Sequence, residues 1–283
     1  MDALVTTAWL AEHLDDPDLV VLDASYTSTI PGSPSRDPRA AYRAEHVPRA
    51  LFLDLDTLVD AEASLPATAP PADIVTERLR ALGVEPATRI VLYDEVQHHS
   101  SARAWWLLRL YGVTAVALLD GGIARWRDEG RPLASGAAPA PPRGTATAVL
   151  DLSALRTLNE VRAVAADGSA QIVDARSAAR FTGAEPDPRP GTAAGHIPGS
   201  VNLPYTRLFA ADGSWKHGAE LDAAFADVGV DWSRPLVTTC GSGITAAVLA
   251  FGAHLLGHEA ALYDGSWSEW GADPSTPKAT GAA

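Results

Sequence analysis

Short runs of branched aliphatic residues recur along the chain, separated by longer stretches whose apolar positions follow a helical spacing. Leu19-Val20-Val21-Leu22-Asp23-Ala24, Ile90-Val91-Leu92-Tyr93-Asp94, Gln171-Ile172-Val173-Asp174-Ala175-Arg176 and Arg234-Pro235-Leu236-Val237-Thr238-Thr239 read as strands. The stretch Ala246 to Leu256 (AAVLAFGAHLL) reads as a helix. Strands alternating with helical patterns predict an α/β chain with mainly parallel sheets flanked by helices.

The pattern is written twice. Leu19 to Ala24 recurs as Gln171 to Arg176, and His46-Val47-Pro48-Arg49-Ala50 recurs as His196-Ile197-Pro198-Gly199-Ser200. Ile90 to Asp94 corresponds to Leu236 to Cys240, and Leu119-Asp120-Gly121-Gly122 with Trp126 to Tyr263-Asp264-Gly265-Ser266 with Trp267. Offsets of about 144 to 151 residues mean duplication of whole domains. Between the copies, Arg131 to Gly144 is rich in Ala, Pro and Gly and reads as a linker wrapping one domain onto the other. The expected division is 1–133, a linker at 134–150, and 151–283.

Composition narrows the function. Hydrophobic residues make up 47% and charged residues 20% of the 283 positions, enough for a sizeable core. The formal net charge of −13 argues against nucleic acid and anionic membrane as partners, so an anionic substrate must meet locally placed arginines. A single cysteine excludes an intramolecular disulfide and a cysteine-based metal site, and points to a reducing, cytoplasmic setting. The start, MDALVTTAWLAEHL, lacks the basic and long apolar regions of a secretion signal. No apolar stretch approaches the roughly 20 residues that span a bilayer.

That one cysteine, Cys240, stands between the Arg234–Thr239 strand and the helix, in Cys240-Gly241-Ser242-Gly243-Ile244-Thr245. A lone cysteine is more often a small buried hydrophobe than a catalyst. Packing alone, however, does not call for Gly-Ser-Gly after it. A tight glycine loop before a helix N-terminus turns several N–H groups inward, which predicts an exposed thiol of lowered pKa in an anion nest. The first copy has Asp94 at the equivalent place and Glu95-Val96-Gln97-His98-His99-Ser100 after it, so it cannot do thiol chemistry. His98 and His99 lack a nearby third ligand and read as solvated rather than metal-binding.

Taken together these features resemble the tandem rhodanese family of sulfurtransferases over nearly the whole length. Tyr42-Arg43-Ala44-Glu45-His46-Val47-Pro48 resembles the family's N-terminal signature, and Ala260 to Trp270 (AALYDGSWSEW) its C-terminal one. The resemblance implies two tandem rhodanese-like domains, the first catalytically inactive. Within the family, thiosulfate enzymes carry Cys-Arg-Lys-Gly-Val-Thr and mercaptopyruvate enzymes Cys-Gly-Ser-Gly-Val-Thr. Cys-Gly-Ser-Gly-Ile-Thr is similar to the second. The segment from Arg180 to Arg189 (RFTGAEPDPR) resembles the one that supplies two arginines to a keto-acid carboxylate. A planar guanidinium suits that task because it can bind a carboxylate bidentately.

The resemblance implies ping-pong sulfur transfer through a persulfide on Cys240, from a small anionic donor to a thiol acceptor (a reduced redox protein or a small thiol) or cyanide, with no cofactor or metal. Arg180 and Arg189 would bind the donor, with the backbone of Gly241, Gly243, Ile244 and Thr245. Ser242 and Asp56 match the serine and aspartate of a Ser-His-Asp arrangement described in some mercaptopyruvate enzymes, but Ala63 stands where its histidine should be. Arg49 replaces the glycine usual after His-Val-Pro, while His46 and His196 read as structural. Two other readings stay open: a thiosulfate enzyme and a non-catalytic sulfur-carrier or binding module. A Cys-x5-Arg phosphatase does not fit, since Ala246 follows Thr245.

Overall fold

A computed structural model of the chain describes residues 1–27, 37–95 and 99–282. Its first half forms β1 (Leu4–Val5), β2 (Leu19–Asp23), β3 (Leu51–Phe52), β4 (Arg89–Tyr93) and β5 (Val116–Leu119). Its second half forms β6 (Leu155–Arg156), β7 (Gln171–Asp174), β8 (Val201–Asn202), β9 (Leu236–Thr239) and β10 (Ala261–Tyr263). Each half is a five-stranded sheet, ordered β1-β5-β4-β2-β3 and β6-β10-β9-β7-β8. Every pairing in both sheets is parallel, so "mainly parallel" understates the order. Helices cover the sheet faces, and the central β4 and β9 are accordingly buried along almost their whole length. Each ends at the carboxyl edge of its sheet, the edge where open α/β sheets hold their ligands.

Two helices form the seam between the halves. Ser100–Leu110 packs on Ala246–Leu255, and Ala246 to Ala253 is buried throughout. A helix apolar on all sides must be covered on all sides, here by its own sheet and by the other half. Trp105 meets Phe251 edge-on with ring centroids 4.9 Å apart, inside one core that draws on both halves.

The connecting segment is strapped to the first half. Ala134 exchanges both backbone hydrogen bonds with His46, and Val149 N–H donates to Tyr111 O at 3.0 Å. Its own Ala146 and Ala148 are buried. The second half repeats the device, with His196 bridged to Ala279. In both copies the histidine Nδ1–H donates to a backbone carbonyl, of Tyr42 and of Phe181, each at 2.8 Å. Each ring also stacks on the aromatic side chain of that same residue.

Arg49 adopts φ 67°, close to the 77° of its counterpart Gly199, despite carrying a side chain. The turn imposes the left-handed conformation, at about 1–2 kcal/mol for a non-glycine residue. Its ion pair with Asp15 is exposed and offsets little of this. Glycine regains about 0.5–1 kcal/mol less than that strain because it loses more freedom on folding. Arg49→Gly should therefore raise stability by about 0.5–1 kcal/mol, read as a higher denaturation midpoint at unchanged slope.

Candidate active site

Cys240 follows β9 directly, and its loop is fixed from several sides. Gly243 N–H donates to Cys240 Sγ at 3.1 Å. Cys240's own N–H turns away and donates to Ser266 Oγ at 3.2 Å, which in turn donates to Tyr263 O at 2.8 Å. Ser266 is fully buried at φ 49°. Trp267 N–H and Ser268 N–H donate to the carbonyls of Cys240 and Gly241, at 3.0 and 2.8 Å. Gly243, at φ 81°, admits no side chain. A Cβ there would lie 3.0 Å from both the carbonyl and the carboxylate Oδ1 of Asp264.

The thiol is not exposed as the sequence suggested: Cys240 is 2% accessible. The loop curls over it, and Arg180 and Arg189 roof the loop. A Cβ on Gly241 would lie 3.2 Å from Arg189 Nη2 and 3.4 Å from Arg180 Nη2, so glycine is what lets the two cations approach the backbone. Of the loop's N–H groups, Gly243's is the one that reaches the sulfur. Ile244 is buried, and Thr245 caps the Ala246–Leu255 helix without a side-chain bond. Ser242 is buried beside the thiol in sequence, and among the described residues its hydroxyl makes no hydrogen bond.

The arginine pair rests on Asp187, which sequence reasoning assigned no role. Arg180 Nη2 donates to Asp187 Oδ2 at 2.5 Å and Arg189 Nη1 to Oδ1 at 3.2 Å. The Asp187 side chain is 1% exposed, and Oδ1 also accepts from Arg189 N–H at 3.0 Å. Burial pushes this carboxyl up, but the Arg180 bond, the Arg189 N–H and both guanidinium charges outweigh it and hold it below the usual carboxylate range. One anion between two cations leaves a net positive charge facing Gly241. The -Asp-x-Arg- spacing after Arg180 was a signal available in the sequence.

Behind the loop, Arg176 clamps Asp174 through two nitrogens, both side chains buried, and lies over the Trp267 ring at 4.5 Å. The first copy has no such cation. Ser25 stands where Arg176 does, and Asp23 is pushed up chiefly by burial. Asp94, in the place of the thiol, is fully buried and raised to about 7 by desolvation, with Asp23 and Glu95 adding to it. It accepts from Ser101 N–H at 2.6 Å and so caps the Ser100–Leu110 helix. The two sheet ends are therefore electrostatic opposites, one acidic and one arginine-lined.

Asp56 lies on the Leu55–Thr57 turn, bonded to Thr27 and raised mainly by desolvation. Among the described residues, no hydrogen bond or ion pair joins it to Cys240 or Ser242. Ala63 sits in a turn, its N–H on Asp60 O. His98 lies outside the described residues. His99 is not solvated as expected: it stacks on Phe209 with centroids 3.5 Å apart and stands edge-on to Tyr205 at 6.2 Å. Tyr205's phenol is pushed up by burial and by the nearby Cys240. Among the described residues no cluster of three or more His, Cys, Asp or Glu side chains is arranged for a metal, and no helix is long and apolar enough to cross a membrane.

The rhodanese-like domain pattern matches residues 6–129 and 157–273. The chain is 40% identical over 270 residues to 3-mercaptopyruvate sulfurtransferase of Escherichia coli K12, covering 95% of each. It is also 40% identical over 281 residues to thiosulfate sulfurtransferase of Cricetulus griseus, covering 95% of this chain and 91% of that one. The crystal structure of the 3-mercaptopyruvate enzyme from Escherichia coli superposes with a TM-score of 0.85 at 37% identity, covering 95% of this chain and all of the other.

Proposed function

The chain belongs to the rhodanese family and is a sulfurtransferase, and on that premise we propose that it takes sulfur from 3-mercaptopyruvate onto Cys240. One observation carries the choice of donor. Arg180 and Arg189 converge on Gly241 while the loop itself offers no cationic side chain. Two planar guanidinium groups suit a keto-acid carboxylate.

The Cys240 thiolate attacks the donor sulfur. The C–S bond breaks with its electron pair going to carbon, and pyruvate leaves as its enolate. The proton of the transferred SH passes to that carbon, so one thiolate and one mercaptopyruvate give one persulfide anion and one pyruvate. Arg180 and Arg189 hold the carboxylate and offset the charge that develops on the keto oxygen. Gly243 N–H, already on Sγ, stabilises sulfur anion, and the Gly241–Thr245 backbone shapes its nest. Ser242 Oγ hydrogen-bonds the donor. Asp56 takes no step in this scheme, since neither a histidine nor a contact links it to the thiol. An acceptor thiolate then attacks the outer sulfur and restores Cys240. The first copy, taken as 1–133, shapes the cleft, and the second, 151–283, does the chemistry. A lone thiol that must stay reduced suits the cytoplasm.

Parallel assays with mercaptopyruvate and thiosulfate at physiological ionic strength test the donor. Losing one charge-assisted contact costs about 1.5–3 kcal/mol, which is roughly ten- to 150-fold. Arg189→Ala should lower kcat/KM for mercaptopyruvate by that factor and affect thiosulfate much less. Better turnover of thiosulfate by the wild type would replace this reading with the thiosulfate one, which the same nucleophile can serve.

A further inference from the structure

The seam between the two copies is nearly symmetric around its two aspartates. Asp120 accepts from Trp215 N–H of the second copy at 2.9 Å, and its counterpart Asp264 accepts from Ala69 N–H of the first copy at 2.7 Å. Beside Asp264 the symmetry is broken by a buried cation. Arg103 is 1% exposed in a helix otherwise buried through apolar side chains and two serines. The offset that relates Asp94 to Cys240 relates Arg103 to Leu249, so the second copy has no equivalent.

A buried guanidinium has to be paired and bonded to be tolerated. Arg103 satisfies this across the seam. Nη1 lies 2.7 Å from Asp264 Oδ1 and donates to Gly243 O at 3.4 Å, and Nη2 donates to Ala67 O at 2.5 Å. Its guanidinium also lies 4.6 Å from the Trp106 ring centre. Gly243 is the residue whose N–H donates to the Cys240 sulfur. A Cβ at Gly243 would touch Asp264 at 3.0 Å and Arg103 Nη1 at 3.2 Å, so both charges lie one residue from the thiol.

We propose that Arg103, supplied by the catalytically silent copy, is a positioning residue of the sulfur-transfer site: with Asp264 it fixes Gly243, whose carbonyl it bonds and whose N–H binds the Cys240 sulfur, and balances the charge beside it. The inference rests on Cys240 as nucleophile and not on the identity of the donor.

Alkylation of Cys240 by iodoacetamide as a function of pH, in the full-length chain, reads this without any sulfur donor. Arg103→Gln leaves the Asp264 anion beside the sulfur and should move the alkylation midpoint up by about one pH unit, a tenfold slower reaction at a fixed pH below it. Asp264→Asn leaves the Arg103 cation and should move the midpoint down. Loops that had merely loosened would shift both variants the same way, and that result, or two unshifted profiles in folded proteins, overturns the proposal. If either single variant fails to fold, Arg103→Met with Asp264→Leu removes both charges together. This variant should melt as one folded unit, alkylate with a midpoint near the wild type, and form persulfide about tenfold more slowly. A wild-type rate of persulfide formation in it would equally overturn the role.

Discussion

Cys240→Ser and Cys240→Ala should lose sulfur transfer completely while the protein stays folded. No other thiol exists in the chain to substitute for it, and the first copy places Asp94 at the equivalent strand end. Serine is slightly smaller but leaves an oxygen for Gly243 N–H, the bond Sγ now accepts. The fold should consequently change by about 1 kcal/mol or less, within the ordinary range for a conservative substitution. Mass spectrometry of wild-type enzyme treated with donor alone should find one added sulfur, located on Cys240. A serine variant that still turned over would remove the central assignment.

Asp94→Asn should stabilise the protein at pH 8 and flatten its pH dependence, without touching persulfide formation. The sign follows from where the proton is held. The Asp94 carboxyl titrates at about 7 when folded, against about 3.9 in an unfolded chain. Below pH 4 both states are protonated and the group contributes nothing to the difference. Between those values the folded state keeps a proton that the unfolded state releases, so stability falls as pH rises and is lowest above 7. Holding that proton from about 3.9 up to about 7 corresponds to at most about 4 kcal/mol. Asparagine removes that cost and can still accept from Ser101 N–H, though a neutral acceptor is weaker by about 1 kcal/mol. The net gain at pH 8 should be about 1–3 kcal/mol, vanishing towards pH 4, as read from urea midpoints across the range. A folded Asp94→Asn protein without persulfide would mean that the first copy takes part in the chemistry.

Local patterns announced what depends on neighbours in sequence. The strand from 236 to 239, the helix from 246 and the doubling of both are visible because burial imposes apolar runs and a repeated unit repeats its runs. The pairing of Arg180 with Arg189 was legible through the resemblance of the ten-residue segment that holds both. Contacts across the seam were not. Arg103 meets Gly243 and Asp264 from far along the chain, and no periodicity encodes that meeting. A hint did exist: a lone arginine inside Ala102 to Leu108, among tryptophans and leucines, demands a buried anion somewhere. The burial of the thiol was likewise hidden, because a glycine loop before a helix is consistent with either an open or a roofed sulfur until the roof is placed. The role of Asp187 was obscured by reading its segment for cations alone.

The roof over Cys240 also decides who can collect the sulfur. With the thiol 2% accessible, a bulky globular surface cannot press a flat face against it. On the proposed chemistry, sulfur held on Cys240 would pass to a nucleophile slender enough to reach it beside Arg180 and Arg189. A free low-molecular-weight thiolate meets that size limit, as does a thiol carried at the tip of a projecting loop or a chain end. Those same cations draw anions inward, so the entrance sorts visitors by girth and by sign before any bond is made.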